Sequence, residues 1–365
     1  MTVKITKPEI NVREKISELD KPSGVAGEAM LRAETVAEQR ALIGAGRRNL
    51  VMNGGFDVWQ RGTTVTTTGN TYQNFTADRW SAYFGGTYTQ EQTTLPNGDY
   101  VDYFKGVLGT TGGNRININN FIENGNRIIS GKYVTISFWL KTSVIDNQVN
   151  VKLQTTNGSN FSSYILVANK YIETSTSWKK YEITLKCNDD IANVGARPHV
   201  LLEIDGVDGS WANGTSFEIA QVQLELGRVA TPFEVRLYGE ELALCQRYFE
   251  RLEDLESTDS NGATSVETLL GLGYCYTTTR VMGHVTWKAT KRVNPTCTVS
   301  PVTDIQCLSS AGLWISASGV DVRANKNSAR LDITTGSAMP AAGQACEVRF
   351  NTASPVGYIY IDAEL

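Results

Sequence analysis

Apolar and polar residues alternate with period two along most of the chain beyond position 50, the pattern of strands with one buried and one wet face. In YVTISFWLK, Val134, Ile136, Phe138 and Leu140 point one way, and Tyr133, Thr135, Ser137, Trp139 and Lys141 the other. VNVKLQT sets Val149, Val151 and Leu153 against Asn150, Lys152 and Gln154, and RININ sets Ile116 and Ile118 against Arg115, Asn117 and Asn119. Further strands are predicted at KKYEITLKC, HVLLEID and FEIAQVQLELG. In the last, Phe217 and Ile219 fall out of phase with Val222, Leu224 and Leu226, so a bulge is expected near Ala220. Turn signals at Asn97-Gly98, Asn157-Gly158 and Asn213-Gly214 separate the runs. No βαβ alternation is visible, and the spacing predicts an antiparallel sandwich or jelly roll over residues 49–236.

The two flanks read differently. Residues 1–48 mix both charge signs and carry a helical pattern from Glu28 to Ile43, closed by Gly44 and Gly46. Its stripe of Met30, Ala33 and Ala37 is too short to fold alone, so this segment needs a partner surface or remains a loose arm. Residues 237–260 predict a connecting helix, with Leu242, Cys245, Phe249 and Leu252 as its stripe. Strand patterns return over 261–365 as RVMGHVTWK, LWISASGVDVRA, SARLDITTG, ACEVRF and GYIYIDAEL, and the chain ends in one of them, which predicts a tied-down C-terminus. The fold class is mainly β: an antiparallel jelly-roll sandwich plus a C-terminal β domain, with a short N-terminal helical segment and a connecting helix.

Composition narrows the chemistry. The 365 residues suffice for two or three domains. With 34 Lys and Arg against 38 Asp and Glu, the net charge of −4 gives no basic footprint for nucleic acid. No apolar stretch reaches the roughly 18 residues of a membrane helix, and the N-terminus lacks a signal-peptide core, so no membrane insertion is expected. Six cysteines without a C-x-x-C pair point away from a disulfide framework. His199 and His284 stand far apart, so neither a zinc site nor a His-assisted nucleophile is readable.

Three stretches occur together and in order: NLVMNGGFDVWQRG with TADRW, then ISFWLKT, then QVQLELGRVATPFEVRLYGEELALCQRYFE. Together they resemble bacteriophage tail-fibre and related virion proteins, which carry a jelly-roll domain similar to carbohydrate-binding modules of the galactose-binding-like type. The opening KITKPEINVREKISELDKPSG is similar to N-terminal segments of structural proteins in phages of aquatic bacteria. The resemblance covers about residues 1–250 and implies a virion component assembled in the host cytoplasm, a homotrimer. It further implies attachment to tail or capsid proteins through residues 1–48, with Ile5, Pro8, Ile10, Val12, Ile16 and Leu19 as the attachment positions, and adhesion to host surface polysaccharide. The alternatives are a fibre or decoration subunit without a ligand, and a glycan-degrading tailspike enzyme. The β-helix rungs of such enzymes are not visible, so no enzyme is expected.

Sugar binding needs an aromatic ring against a pyranose face and polar groups for its hydroxyls. The wet strand faces supply Trp139, Tyr133, Lys141, Arg115, Asn117, Lys152 and Gln154, and loops supply Trp211, Tyr83 and Tyr88. The competing reading is that a neighbouring subunit or the N-terminal arm covers this face. Trp59, Trp80 and Phe56 read as packing residues. Jelly-roll modules of the resembled type hold a structural calcium near the first strand. Asp57 fits one ligand position, but Ala220 and Gln221 stand where an acidic ligand is expected. No other cofactor is expected. Asp205 with Asp208, and Asp99 with Asp102, are the carboxylate pairs close enough in sequence for glycosidase chemistry, and paired acids in loops are usually turn formers.

Overall fold

A computed structural model describes residues 48–68, 74–109, 116–145, 147–156, 164–189, 200–207, 211–253, 256–258, 264–266, 269–350 and 357–364. The first half contains β1 (Thr64–Thr67), β2 (Trp80–Ala82), β3 (Gly86–Thr94), β4 (Tyr100–Leu108), β5 (Asn117–Ile122), a short helix α1 (Gly125–Ile129), β6 (Tyr133–Thr142), β7 (Gln148–Thr156), β8 (Tyr164–Glu173), β9 (Lys179–Lys186), β10 (Val200–Gly206) and β11 (Ser216–Leu226). They form two antiparallel sheets, a six-stranded one in the order β1-β3-β4-β11-β6-β9 and a five-stranded one in the order β2-β5-β10-β7-β8.

The period-two alternation builds the core between the sheets. Val134, Ile136, Phe138 and Leu140 of β6 face Val149, Val151 and Leu153 of β7 and Val200, Leu202 and Ile204 of β10 in one apolar cluster. Each such side chain contributes about 1.5–3 kcal/mol on burial, so a one-residue register slip would expose a whole row. The Asn97-Gly98 turn closes the β3–β4 hairpin, with Gly98 at φ 93°, where glycine avoids a Cβ clash. The bulge expected near Ala220 is present: the β11–β6 register shifts between Ala220 and Gln223, and Gln221 takes φ 50°.

The connecting helix is shorter than the sequence suggests. Helix α2 spans Tyr238–Gln246, and Phe249–Glu253 forms strand β12. The run FERLE satisfies its backbone by pairing with the last strand of the chain, and Phe249 packs on Tyr360 at 5.4 Å between ring centres. That pairing outweighs the local 3–4 spacing of Cys245, Phe249 and Leu252, because a helix here would bury only one narrow stripe. The helix expected over Glu28–Ile43 lies outside the described residues.

Ten more strands follow: β13 (Glu256–Thr258), β14 (Thr264–Val266), β15 (Leu269–Thr277), β16 (Arg280–Thr286), β17 (Thr296–Val299), β18 (Ile305–Leu308), β19 (Trp314–Ala324), β20 (Ser328–Thr335), β21 (Ala345–Phe350) and β22 (Tyr358–Asp362). Six close into a barrel, β15-β16-β20-β19-β18-β21, around Cys275, Val281, Cys307, Leu331, Ile333 and Val348. Closure leaves these strands without a free edge. The C-terminal strand β22 lies between β12 and β17, which ties the chain end down as expected.

Candidate functional site

Alternation places the polar residues of each sheet on its outer face, and the two outer faces lie on opposite sides of the sandwich. The candidate sugar-binding residues therefore separate. Tyr133, Trp139 and Lys141 stand on β6 in the six-stranded sheet, whereas Asn117 and Lys152 with Gln154 stand on β5 and β7 in the other. Arg115 lies outside the described residues.

Trp139 is not the open platform expected. It is 8% exposed, packed among Leu95, Tyr103 and Ala220 with Val101 and Trp178 against them, so its own chain covers it. The cover exists because Tyr103 and Trp178, outward-facing on β4 and before β9, pack edge to face at 5.4 Å. Lys141 pairs with Glu218 at 2.8 Å, and the Tyr133 ring carries Arg228 at 3.8 Å. The three loop candidates also move inward. Tyr88 is a core residue of β3 whose hydroxyl donates to the Phe84 carbonyl at 2.8 Å. Trp211 is 2% exposed and lies against Gly206, where a Cβ would come within 2.4 Å of its Nε1. Tyr83 is half-buried, edge-on to Phe84 at 4.9 Å. Phe56, Trp59 and Trp80 are packing residues, as read.

The outer face of the five-stranded sheet is the larger polar arrangement. Antiparallel register aligns Ser81, Asn119, Glu203, Lys152 and Asn169 in one row across all five strands. A second row aligns Asn117, Asp205, Asn150 and Tyr171, and a third aligns Phe121, Leu201, Gln154 and Leu166. Asn117 Nδ2 donates to Glu203 at 3.2 Å and Asp205 at 3.1 Å, while the Lys152 ammonium donates to Glu203 at 2.9 Å and also to Asp205. Asn119 donates to Asn117 at 2.8 Å, and Asn169 to Asn150 at 3.1 Å. Burial pushes the Glu203 carboxyl above its ordinary range. Burial also acts to lower Lys152, but Asp205 and Glu203 outweigh it and raise its pKa, so the ammonium stays charged. Ser81 Oγ, Asn119 Oδ1 and Glu203 Oε2 are buried without a hydrogen-bond partner. The face opens toward β8, where Tyr171 is 52% exposed at the end of the second row and Leu166 49% exposed at the end of the third. Tyr171 was not legible in the sequence, because alternation in YILVANKYIE gives it the parity of the core residue Val167; the β7–β8 register shift between Leu153 and Gln154 turns it to the outer face.

The carboxylate pairs nominated for glycosidase chemistry do not stand as pairs. Asp205 is committed to Lys152 and Asn117, and Asp208 lies outside the described residues. Asp99 accepts from Asn97 at 2.7 Å and Gln221 at 3.2 Å, and Asp102 from Gln92 at 2.8 Å.

Asp57 faces the Asp102 and Glu241 carboxyls. Glu241 is already bound by the Asn53 amide at 2.5 Å and Arg236 at 3.0 Å, and Gln221 turns to Asp99. Gln92 and Arg236 already hold the Asp102 and Glu241 carboxylates, so a calcium bound by this set would draw chiefly on Asp57. Among the described residues no group of three or more His, Cys, Asp or Glu is placed to hold a metal.

Burial, with Asp102 and Glu241, pushes the Asp57 carboxyl up to about 6, and burial pushes Asp78 to about 6 against the opposing pull of Arg61. A carboxyl raised on folding stabilises the native state while protonated, and that stability is lost as pH rises from about 4 to about 6. Glu91, Glu123 and Glu234, held below their ordinary range, act in the opposite sense, but at lower pH. Thermal unfolding should therefore show a falling midpoint across that window, and Asp57→Asn should flatten the fall. An unchanged slope in that variant would refute the assignment.

All six cysteines are free thiols. No described helix is long and apolar enough to cross a membrane. The attachment positions Ile5, Pro8, Ile10, Val12, Ile16 and Leu19 lie outside the described residues.

No family model and no curated protein matches the sequence. Among solved structures, the chain is similar to a CBM4 carbohydrate-binding module, at 18% identity and a TM-score of 0.31 over 48% of this chain and 99% of that one. It is similar to the CBM22-1 xylan-binding domain from Paenibacillus barcinonensis, at 14% identity and a TM-score of 0.29 over 46% and 94%. A third likeness is to the enzymatically active domain of tailspike protein 4 of bacteriophage CBA120, at 16% identity and a TM-score of 0.30 over 49% of this chain and 21% of that one.

Proposed function

We propose that this chain is a non-catalytic adhesive component of a phage virion, binding glycans along the outer face of its five-stranded sheet. The virion assignment rests on the resemblance of the NGGFDVWQRG, ADRW and ATPFE-to-CQRYFE stretches. The glycan assignment rests on one observation: ordered rows of amides, carboxylates and an ammonium run across five strands and emerge at the exposed Tyr171 ring. The buried Lys152–Glu203–Asp205–Asn117 network holds β5, β10 and β7 rigid, which lowers the entropic cost of presenting the more exposed Gln154, Asn169 and Tyr171 to sugar hydroxyls. Tyr171 offers the stacking surface, with Asn169 two residues along β8 and Asn150 opposite it on β7.

Three copies in one particle would turn single-site affinities of millimolar order, about 4 kcal/mol each, into durable attachment. Residues 1–48 would join tail or capsid proteins. The test is a glycan array probed with the full chain and with Tyr171→Ala and Gln154→Ala. Tyr171→Ala should weaken binding about tenfold, worth about 1.4 kcal/mol. Unchanged binding in both variants, or no glycan retained by the parent, would overturn the reading.

A further inference from the structure

A separate cleft of about 190 Å³ opens where the six-stranded sheet extends past the core. It is lined by Asp57 from the turn before β1, Gln92 of β3, Tyr100 and Asp102 of β4, Gln221 of the β11 bulge, and Arg236 before α2. Gln92 and Asp102 share the inward parity of Phe104, but lie beyond the last core layer, so the sheet's inner side becomes a polar floor.

This floor is built rather than incidental. Tyr100 Oη donates to Gln92 Oε1 at 2.8 Å, Gln92 Nε2 donates to Asp102 Oδ1 at 2.8 Å, and Asp57 lines the cleft with them. The chain of bonds fixes the Gln92 amide from both ends. Two glycines keep the wall thin: a Cβ on Gly55 would lie 2.6 Å from Asp57 Oδ2, and one on Gly54 would lie 2.1 Å from the Val222 carbonyl. Gln221 reaches the cleft because the bulge gives it φ 50°, a conformation uncommon for a residue with a side chain.

The lining presents acceptors. Arg236, its cation, is consumed by Glu241 at 3.0 Å, Glu234 at 3.2 Å and two backbone carbonyls. An anionic ligand would meet Asp57, Asp102, Glu234 and Glu241 without a free counter-charge in the lining. A ligand rich in O–H or N–H donors would find carboxylate oxygens and side-chain amides in the lining, with the Tyr100 ring, 68% exposed, available to pack on an apolar ring face.

We propose that this cleft is a second saccharide subsite, sized for one pyranose unit that is neutral or amine-bearing, and closed to uronic and sialic acids. It lies at the end of the sandwich, away from the polar rows, and does not depend on them. A glycan strand bound at both places would engage one copy of the chain twice.

The test uses saturation-transfer NMR on the full chain with methyl glycosides of glucose, galactose and mannose, their 2-amino counterparts, and glucuronate. At least one neutral or amino sugar should bind the parent, and glucuronate should not. Tyr100→Ala and Gln92→Ala should each weaken that binding about tenfold, while Glu182→Ala, at an exposed position of β9 outside both proposed sites, leaves it unchanged. Tyr100 is too exposed for its truncation to unfold the sandwich, and circular dichroism of each variant checks this. Three outcomes would overturn the proposal: none of the neutral and amino glycosides binds, glucuronate binds as well as they do, or both cleft variants bind like the parent. Loss of binding in Tyr171→Ala alone would overturn it too, assigning the signal to the five-stranded face. If calcium, titrated in parallel, perturbs Asp57 and Asp102 where no sugar does, the cleft is a cation site and the proposal fails.

Discussion

Replacing Arg79 with alanine is expected to lower the unfolding free energy by about 3–5 kcal/mol, the usual loss when one partner of a buried ion pair is removed. Arg79 sits in the ADRW turn at φ 69°, a left-handed conformation that costs about 1 kcal/mol or more and persists only where surroundings hold it. They do so at the joint between sandwich and C-terminal domain. Its guanidinium bonds Glu364 and the Phe121 carbonyl, and stacks 3.6 Å from the Tyr248 ring centre. Arg61 reinforces the joint, lying 3.5 Å over Phe249 and 3.6 Å from Glu364. Alanine at position 79 would strand the Glu364 carboxylate, buried at 3% exposure, with Arg61 as its remaining cation. Urea denaturation followed by tryptophan fluorescence measures the loss. A value under about 1 kcal/mol, that of an exposed pair, would show that the joint does not hold the fold. The double variant Arg79→Met, Glu364→Gln should recover much of the stability, because it removes both charges together.

Lys291→Ala should cost a similar amount, about 3–5 kcal/mol, by stranding a different acid. Lys291 and Glu250 are both fully buried, with Nζ 2.5 Å from Glu250 Oε2 and 2.5 Å from the Gln246 carbonyl. Glu250 also accepts from the Lys288 amide at 3.2 Å, so the carboxylate locks the end of α2, strand β12 and the segment after β16 together. Burial lowers the Lys291 pKa, and Glu250 opposes that shift. In Lys291→Ala the C-terminal domain should unfold before the sandwich, seen as a split calorimetric transition. Lys291→Met with Glu250→Gln should restore a single transition. A single transition in the alanine variant at the parent's midpoint would refute the coupling.

The sequence stretches behind the virion resemblance converge on these joints. Gln60 of NGGFDVWQRG donates to Asp78 of ADRW and to the Phe249 carbonyl of CQRYFE, and Asn53 binds Glu241. Arg247 and Tyr248 both bind Glu123 of the sandwich. Their spacing is thus explained by architecture, and they supply no ligand contacts of the five-stranded face. They do line the separate cleft, through Asp57 of the first stretch and Gln221, Glu234, Arg236 and Glu241 of the last.

The candidate site was only partly legible. Alternation correctly gave Asn117, Lys152 and Gln154 as outward-facing, and gave the same parity to Trp139 and Lys141. Parity says which residues of one strand share a face, not which sheet the strand joins. Strand order sent β6 to one sheet and β5 and β7 to the other, and so divided the set. Glu203 was hidden for a related reason, and Asp205 was legible only as half of a pair with Asp208. Within HVLLEID they alternate like wet-face residues, but burial of that face draws them into a network with Lys152, some fifty residues earlier.

The sequence by itself determined β5 to β7, β9 to β11, β16 and β19 to β22, the inward side chains of those sandwich strands, the bulge at Ala220 and the anchored C-terminus. These follow from a local period of two and from turn residues that need no distant partner. Tertiary structure alone decided the rest: the closed barrel, the strand at Phe249–Glu253 in place of more helix, the burial of Trp139 and Trp211, and the ion pairs of Arg79 and Lys291. Each depends on partners brought together across the chain, 285 residues apart for Arg79 and Glu364, and a buried charge is tolerated only once such a partner has arrived.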